Sequence, residues 1–288
     1  MSILVDKNSK VLVQGMTGRL GRKQTKLMLD YGTDIVAGVS PGKGGDFIYD
    51  IPVYDTVLEA KENHEIDTSI IYVPSELVKD AAYEAIDAGI EFMVIITDWV
   101  AYHDEMKIKE FAGEQGIRYI GPNTPGIIVP DEITLGMISP NAVRKGKVGI
   151  VSRSGTLTGE IASQLTEYGI GQSVLVGLGG DPVVGMRMKE VVELLEEDDE
   201  TDLILIIGEI GGTMEEETCD FLKEKGTKPC VGFIAGRTAP KGKKMGHAGA
   251  IVTKGRGTAK SKIDAFESAG VEVAKKIWDV PDLVKKLL

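Results

Sequence analysis

Short apolar runs alternate with stretches of helical period along the whole chain, and most of the joints between them contain glycine. Lys10–Gln14, Asp34–Val39, Asp67–Val73, Phe92–Thr97 and Arg118–Ile120 read as strands. Helices are predicted up to Tyr31, over Ser75–Ala88 and over Asp104–Gln115. Five strands joined by crossover helices predict one doubly wound α/β domain. From Gly121 to Gly146 the texture changes. Pro122, Pro125, Pro130 and Pro140 fall in a stretch without helical period, which predicts a connector. A second α/β series follows, with strands at Lys147–Val151, Ser173–Gly177, Leu203–Ile207, Cys230–Ala235 and near Val271–Ala274. Its helices are predicted over Leu157–Tyr168, Val183–Leu195 and Glu215–Lys225, the last opened by Thr213 and Glu216 at capping-box spacing. The expected organisation is a domain over 1–122, a connector over 123–146 and a second domain over 147–288.

At 288 residues there is room for two domains of ordinary size. Glycine accounts for 36 residues and proline for 11, with no G-X-Y period, so the glycine excess belongs to turns and close backbone approaches. Asp and Glu outnumber Lys and Arg by 44 to 33. The resulting net charge of −11 argues against nucleic acid or an anionic membrane as a general partner. No uncharged apolar run approaches the roughly 18 residues of a membrane-spanning helix. The opening MSILVDKNSK lacks a signal peptide's apolar stretch. Two cysteines, Cys219 and Cys230, with three histidines predict neither a disulfide framework nor a bound metal. The expected location is the cytoplasm.

Four glycine-rich segments carry the candidate chemistry. Gly15-x-x-Gly18-x-x-Gly21 follows a strand and opens a helix, where backbone N–H groups and the helix dipole suit phosphate. A dinucleotide site expects a carboxylate at the end of the next strand. Val39–Gly45 offers instead Lys43 and several N–H donors, with no carboxylate before Asp46, which weighs against NAD and for a ligand richer in phosphate. Ser152-Arg153-Ser154-Gly155-Thr156 is a second strand-to-helix nest; its Ser154 lacks the G-x-S-x-G spacing of a nucleophile elbow and doubles as an N-cap. Glu209 sits among glycines after an apolar strand, so it is either loop-exposed or a carboxylate in need of a partner. The loop Gly236–Ala250 holds His247 between Gly246 and Ala248. A neutral imidazole there is a competent nucleophile if one nitrogen is held by an acceptor, which Glu209 can supply; the bland alternative is a loop histidine that caps backbone. His64 and His103 read as solvated residues at helix termini.

The blocks MSILVDKNSK, GMTGRLG, SPGKGG, IYVPS, IGPNTPG, GKVGIVSRSGTLT, GEIGG and APKGKKMGHAGAI make the chain resemble, in order and nearly end to end, the alpha subunits of succinyl-CoA synthetases. The resemblance implies a Rossmann-like CoA-binding domain followed by a flavodoxin-like ligase domain. It implies that Thr17, Gly18, Arg19 and Leu20 hold the phosphates of coenzyme A, that Lys43 supports them, and that Ile96, Thr97 and Asp98 line the site. His247 is implied as a phosphohistidine reacting through Nε2, with Glu209 on the other nitrogen and the Ser154-Gly155 helix start stabilising the phosphoryl group. An ATP-grasp beta subunit would bring ATP or GTP and Mg²⁺. The implied reaction is reversible, nucleotide-coupled formation of succinyl-CoA from succinate and CoA through an acyl phosphate, in the citric acid cycle. Two positions depart from the family. Gly159 replaces a bulky aromatic implicated in the carboxylate's site, and Thr124 stands where a cysteine is common. The first leaves malate or another acid open as substrate. A CoA-binding regulatory module without catalysis and an NAD-dependent dehydrogenase are the readings from other classes.

Overall fold

A computed structural model describes residues 3–238, 246–252 and 257–288. Residues 239–245, which belong to the expected histidine loop, lie outside the described residues. The first domain runs β1 (Val11–Gln14), α1 (Arg19–Tyr31), β2 (Ile35–Val39), β3 (Phe47–Ile48), β4 (Ile51–Tyr54), α2 (Val57–Asn63), β5 (Thr68–Ile71), α3 (Val78–Asp87), β6 (Phe92–Ile95), α4 (Tyr102–Gln115) and β7 (Arg118–Ile120). The second runs β8 (Gly126–Val129), β9 (Ile133–Gly136), β10 (Lys145–Ser152), α5 (Gly155–Glu167), β11 (Gln172–Gly177), α6 (Met188–Glu197), β12 (Leu203–Glu209), α7 (Met214–Lys225), β13 (Cys230–Ala235), α8 (Ala259–Ser268), β14 (Glu272–Ala274) and α9 (Val280–Leu287).

Each domain carries a seven-stranded sheet. In the first, the order β4-β2-β1-β5-β6-β7 is parallel, with β3 added antiparallel at the edge. Counted along the parallel strands this is 3-2-1-4-5-6, the Rossmann order, and its switch point lies beside β1. In the second, β11-β10-β12-β13-β14 is the flavodoxin order 2-1-3-4-5, with its switch point beside β10. Both switch points are followed by the glycine turns singled out above. The central strands are apolar without alternation because helices cover both faces; every residue of β12 is buried.

The structure adds elements that the apolar pattern did not indicate. Between β2 and β5 lie the β3–β4 hairpin and α2. The hairpin turns on Tyr49 and Asp50, both at positive φ. That is the backbone of a type I′ turn without the Asn-Gly or Asp-Gly pair that announces one. The 123–146 stretch, expected as a connector, holds the β8–β9 hairpin, whose strand β8 pairs antiparallel with β11. Pro125 and Pro130 flank β8 rather than interrupt it, so a four-residue apolar run survives among the prolines. The hairpin also ties the domains together: Thr33 donates to the Thr134 carbonyl at 3.0 Å, and the Asp131 N–H donates to the Tyr31 hydroxyl at 2.8 Å. The Thr213–Glu216 capping box does not form. Thr213 donates to Glu217 at 2.7 Å, and Glu216 turns instead to Lys262, inside the fold.

Ile127 is fully buried on β8 opposite Val176. Ile127→Ala is expected to cost about 2–4 kcal/mol in denaturant unfolding; a loss below about 0.5 kcal/mol would show that the hairpin is a surface connector.

Candidate active site

Strand ends from both domains meet at one groove of about 810 Å³. The first domain supplies the turn after β1 (Gly18 to Gly21), Tyr72, Val73 and Pro74 after β5, and Ile96, Thr97 and Asp98 after β6. Asn123, Thr124 and Pro125 follow, and the second domain closes the groove with Gly155, Thr156 and His247. Gly18 caps α1 with no side-chain bond, which leaves the first-turn N–H groups of Arg19, Leu20 and Gly21 for an anion. Thr17 stands beside the groove with its hydroxyl on Ser40 Oγ at 2.9 Å.

Lys43 is exposed and outside the groove lining. The donors expected to be free around it are in use: the Lys43 and Gly44 N–H groups donate to Asp55 at 3.0 and 2.9 Å. The Gly44 N–H, with those of Gly42 and Lys43, holds the Asp55 carboxyl below its ordinary range. Asp55 arrives from the end of β4, an unforeseen strand, so a carboxylate does reach this loop. Ser154 is likewise committed. Its Oγ accepts from the Leu157 N–H at 3.4 Å and its N–H donates to Ser152 Oγ at 3.1 Å, so Gly155 and Thr156 present the free start of α5. Gly159 lies one turn further on, outside the groove lining, and a Cβ there would meet nothing within 4 Å.

His247 borders this groove and a second cavity of about 360 Å³. Its Nδ1 is 2.8 Å from Glu209 Oε2, at the end of β12. A carboxylate only accepts, so Nδ1 carries a proton, and in the neutral ring Nε2 holds the lone pair. Nε2 has no hydrogen-bond partner among the described residues. The ring lies on Gly180, where a Cβ would come 2.5 Å from Cγ, so no larger residue fits beneath it. The bond to Glu209 raises the imidazole above its ordinary value, while partial burial and the charge of Arg153 pull it down.

Arg153, 3% exposed, stands behind Glu209. Its Nη2 is 3.4 Å from Glu209 Oε1, and its Nη1 donates to the Gly211 carbonyl at 2.9 Å and to Glu215 at 3.2 Å. In the second cavity Glu105, from α4, accepts from the Val183 N–H at 3.3 Å and meets Asp181, which also accepts from Asn123 at 3.0 Å. Burial, then the Asp181 charge and hydrogen bond, push the Glu105 carboxyl up to about 8. A carboxyl from each domain thus lies behind His247, and the Asp181 charge adds to the resistance of Glu105 to ionisation. No helix among the described residues is long and apolar enough to cross a membrane.

Residues 6–99 match the CoA binding domain family and residues 151–272 the CoA-ligase family. The chain is 49% identical over 288 residues to "Succinate--CoA ligase [ADP-forming] subunit alpha 1" of Archaeoglobus fulgidus, covering 100% of this chain and 99% of that one. It is 50% identical over 274 residues to the corresponding alpha subunit of Staphylococcus aureus, covering 95% of this chain and 91% of that one. The chain belongs to the succinate–CoA ligase alpha-subunit family. Among solved structures, ATP citrate lyase of Methanosaeta concilii in complex with (3S)-citryl-CoA superposes with a TM-score of 0.90 at 26% identity, over 99% of this chain and 50% of that one. This alpha subunit thus spans about half the length of that lyase chain.

For a succinate–CoA ligase alpha subunit, the groove residues that the glycine motifs left out are those on other strand ends, Tyr72 and Asn123 among them. The sequence flagged the IYVPS and GPN blocks only as resemblance. Glu105, Asp181, Glu215 and Lys262 carried no signal in spacing at all.

Because the Glu105 carboxyl titrates higher folded than unfolded (about 4.3), folding binds a proton and stability falls as pH rises between those two values. Glu105→Gln keeps the contacts without the titration. Its melting temperature relative to wild type is expected to climb from pH 5 to about 8 and then level off; a difference constant across that range would contradict a raised Glu105 carboxyl.

Proposed function

We propose that the chain is the phosphoryl-carrying subunit of a succinate–CoA ligase that acts in the cytoplasm with an ATP-grasp beta subunit and serves the citric acid cycle. The Glu209–His247 pair at 2.8 Å, beside a groove onto which the starts of α1 and α5 open, is the observation that carries this reading. Thr17, Gly18, Arg19 and Leu20 bind the phosphates of coenzyme A, Lys43 reaches them from its exposed loop, and Ile96, Thr97 and Asp98 line the thiol-bearing arm. The beta subunit carries the nucleotide, ATP in keeping with the ADP-forming names of the relatives, together with Mg²⁺.

His247 Nε2 attacks the terminal phosphorus and the nucleoside diphosphate leaves. Glu209 keeps the Nδ1 proton in place and offsets the charge that develops on the ring. The N–H groups at Gly155, behind the Ser154 cap, face the phosphoryl oxygens. A carboxylate oxygen of the acid then bonds to phosphorus as the N–P bond breaks, which restores the imidazole and yields an acyl phosphate. The thiolate of coenzyme A adds to the acyl carbon, and phosphate departs with its electron pair. Every step positions a dispersed anion among backbone donors.

His247→Asn is expected to take up no acid-labile, base-stable phosphate from labelled ATP in the presence of an active beta subunit, with CoA affinity within about twofold of wild type by calorimetry. Label on wild type at any other side chain would defeat the relay.

The open space at Gly159 supports a second reading of the acid, one larger or more hydrated than succinate, such as malate. In a panel of acids with the reconstituted pair, Gly159→Tyr is expected to lower kcat/KM for malate at least tenfold more than for succinate. Equal losses for both acids would detach Gly159 from specificity.

A further inference from the structure

Behind the histidine, charges alternate through the interior in one unbroken line. Glu209 meets Arg153; Arg153 meets Glu215; Glu215 meets Lys262. Arg153 is 3% exposed, and Glu215 and Lys262 are fully buried. Glu215 accepts from Arg153 and from the Glu209 N–H, the latter at 3.0 Å, so it fixes both the guanidinium and the backbone of the residue that holds the imidazole. Room for this exists because residue 208 is glycine: a Cβ there would lie 2.6 Å from Glu215 Oε1. Lys262 also donates to Glu216 at 2.8 Å and to the Gly212 carbonyl at 3.1 Å. Burial works to raise the Glu215 carboxyl, yet the Arg153 and Lys262 charges hold it low.

We propose that Glu215 and Lys262 are positioning residues which, through Arg153, set the charge felt by the Glu209–His247 pair and so the readiness of the imidazole to give up its second proton and accept phosphate. Neither touches the ring. Their effect travels as charge: Glu215 offsets part of Arg153, and Lys262 offsets part of Glu215. Besides Arg153, the titratable groups that face His247 among the described residues are Glu209 from β12, Asp181 from the loop after β11, Glu105 behind it on α4 and Asp98 from the loop after β6. None of these four is altered by the test.

The test is a proton NMR titration of the His247 Cε1–H in the full, unphosphorylated chain, assigned with His247→Asn. Glu215→Gln leaves Lys262 and Arg153 less compensated, so the His247 midpoint is expected to fall by about 0.5–1 pH unit. Glu215→Gln combined with Lys262→Met removes one charge of each sign and is expected to return the midpoint to within about 0.2 pH unit of wild type. A purely structural role would lower the melting temperature of both and leave the midpoint alone. If Glu215→Gln does not fold, Glu216→Gln, at the partly exposed end of the line, is expected to give a smaller shift in the same direction. A folded single variant with an unmoved midpoint, or a double variant as displaced as the single one, overturns the proposal. Its consequence for turnover rests on the phosphohistidine reading: with beta subunit and labelled ATP, the pH profile of phosphate uptake should move down with the midpoint. Absence of label on wild type would end that reading while leaving the titration result intact.

Discussion

One guanidinium holds two buried carboxylates in register, and the site is built around that fact. Arg153 lies between Glu209, which grips the imidazole, and Glu215, which reaches under the end of β12 from α7. Removing the cation from such a set would leave two desolvated anions facing each other, and breaking one buried pair typically costs about 3–5 kcal/mol. The arrangement tolerates burial because each carboxylate also accepts or faces another donor: the His247 ring for Glu209, and a backbone N–H and Lys262 for Glu215. The Nδ1 bond to Glu209 fixes the tautomer of the His247 ring, while Glu209 Oε1 faces Arg153 without a hydrogen bond among the described residues.

A second constraint follows from the chain's overall acidity. With a net charge of −11, long-range attraction cannot be what draws an anionic ligand in. The groove answers with geometry. Two switch points, one in each sheet, aim the start of α1, which has no side-chain cap, and the Ser154-capped start of α5 at the same space, so backbone dipoles replace surplus lysine and arginine. The β8–β9 hairpin links the domains that carry the two helix starts, since it belongs to the second sheet while bonding to Thr33 and Tyr31 of the first domain. The Glu105–Asp181 contact performs the same joining on the far side of His247.

Much of this was legible beforehand where the signal is local. Unalternating apolar runs marked ten of the fourteen strands among the described residues, and glycine turns after the central strands marked both phosphate nests. The losses also have local causes. Tyr49 and Asp50 form a turn with side chains that normally avoid it, which hid β3 and β4, and with them the Asp55 carboxylate that occupies the loop around Lys43. Prolines at the rims of β8 imitated a linker. Thr213 and Glu216 had the spacing of a capping box, but the buried ammonium of Lys262 offers Glu216 a stronger partner than a backbone N–H.

By itself, then, the order of residues determined the two sheets, the glycine nests at their switch points and the likeness to an acyl-CoA ligase subunit, because strand burial and helix starts are properties of neighbouring residues. Only the tertiary structure decided which charges meet. Arg153 and Glu215 are 62 positions apart and Glu215 and Lys262 are 47 apart, distances at which no periodicity relates them. Their encounter exists because parallel strands β10, β12 and β13 lie side by side in that order and bring the end of β10, and the helices α7 and α8 that come after β12 and β13, to one place.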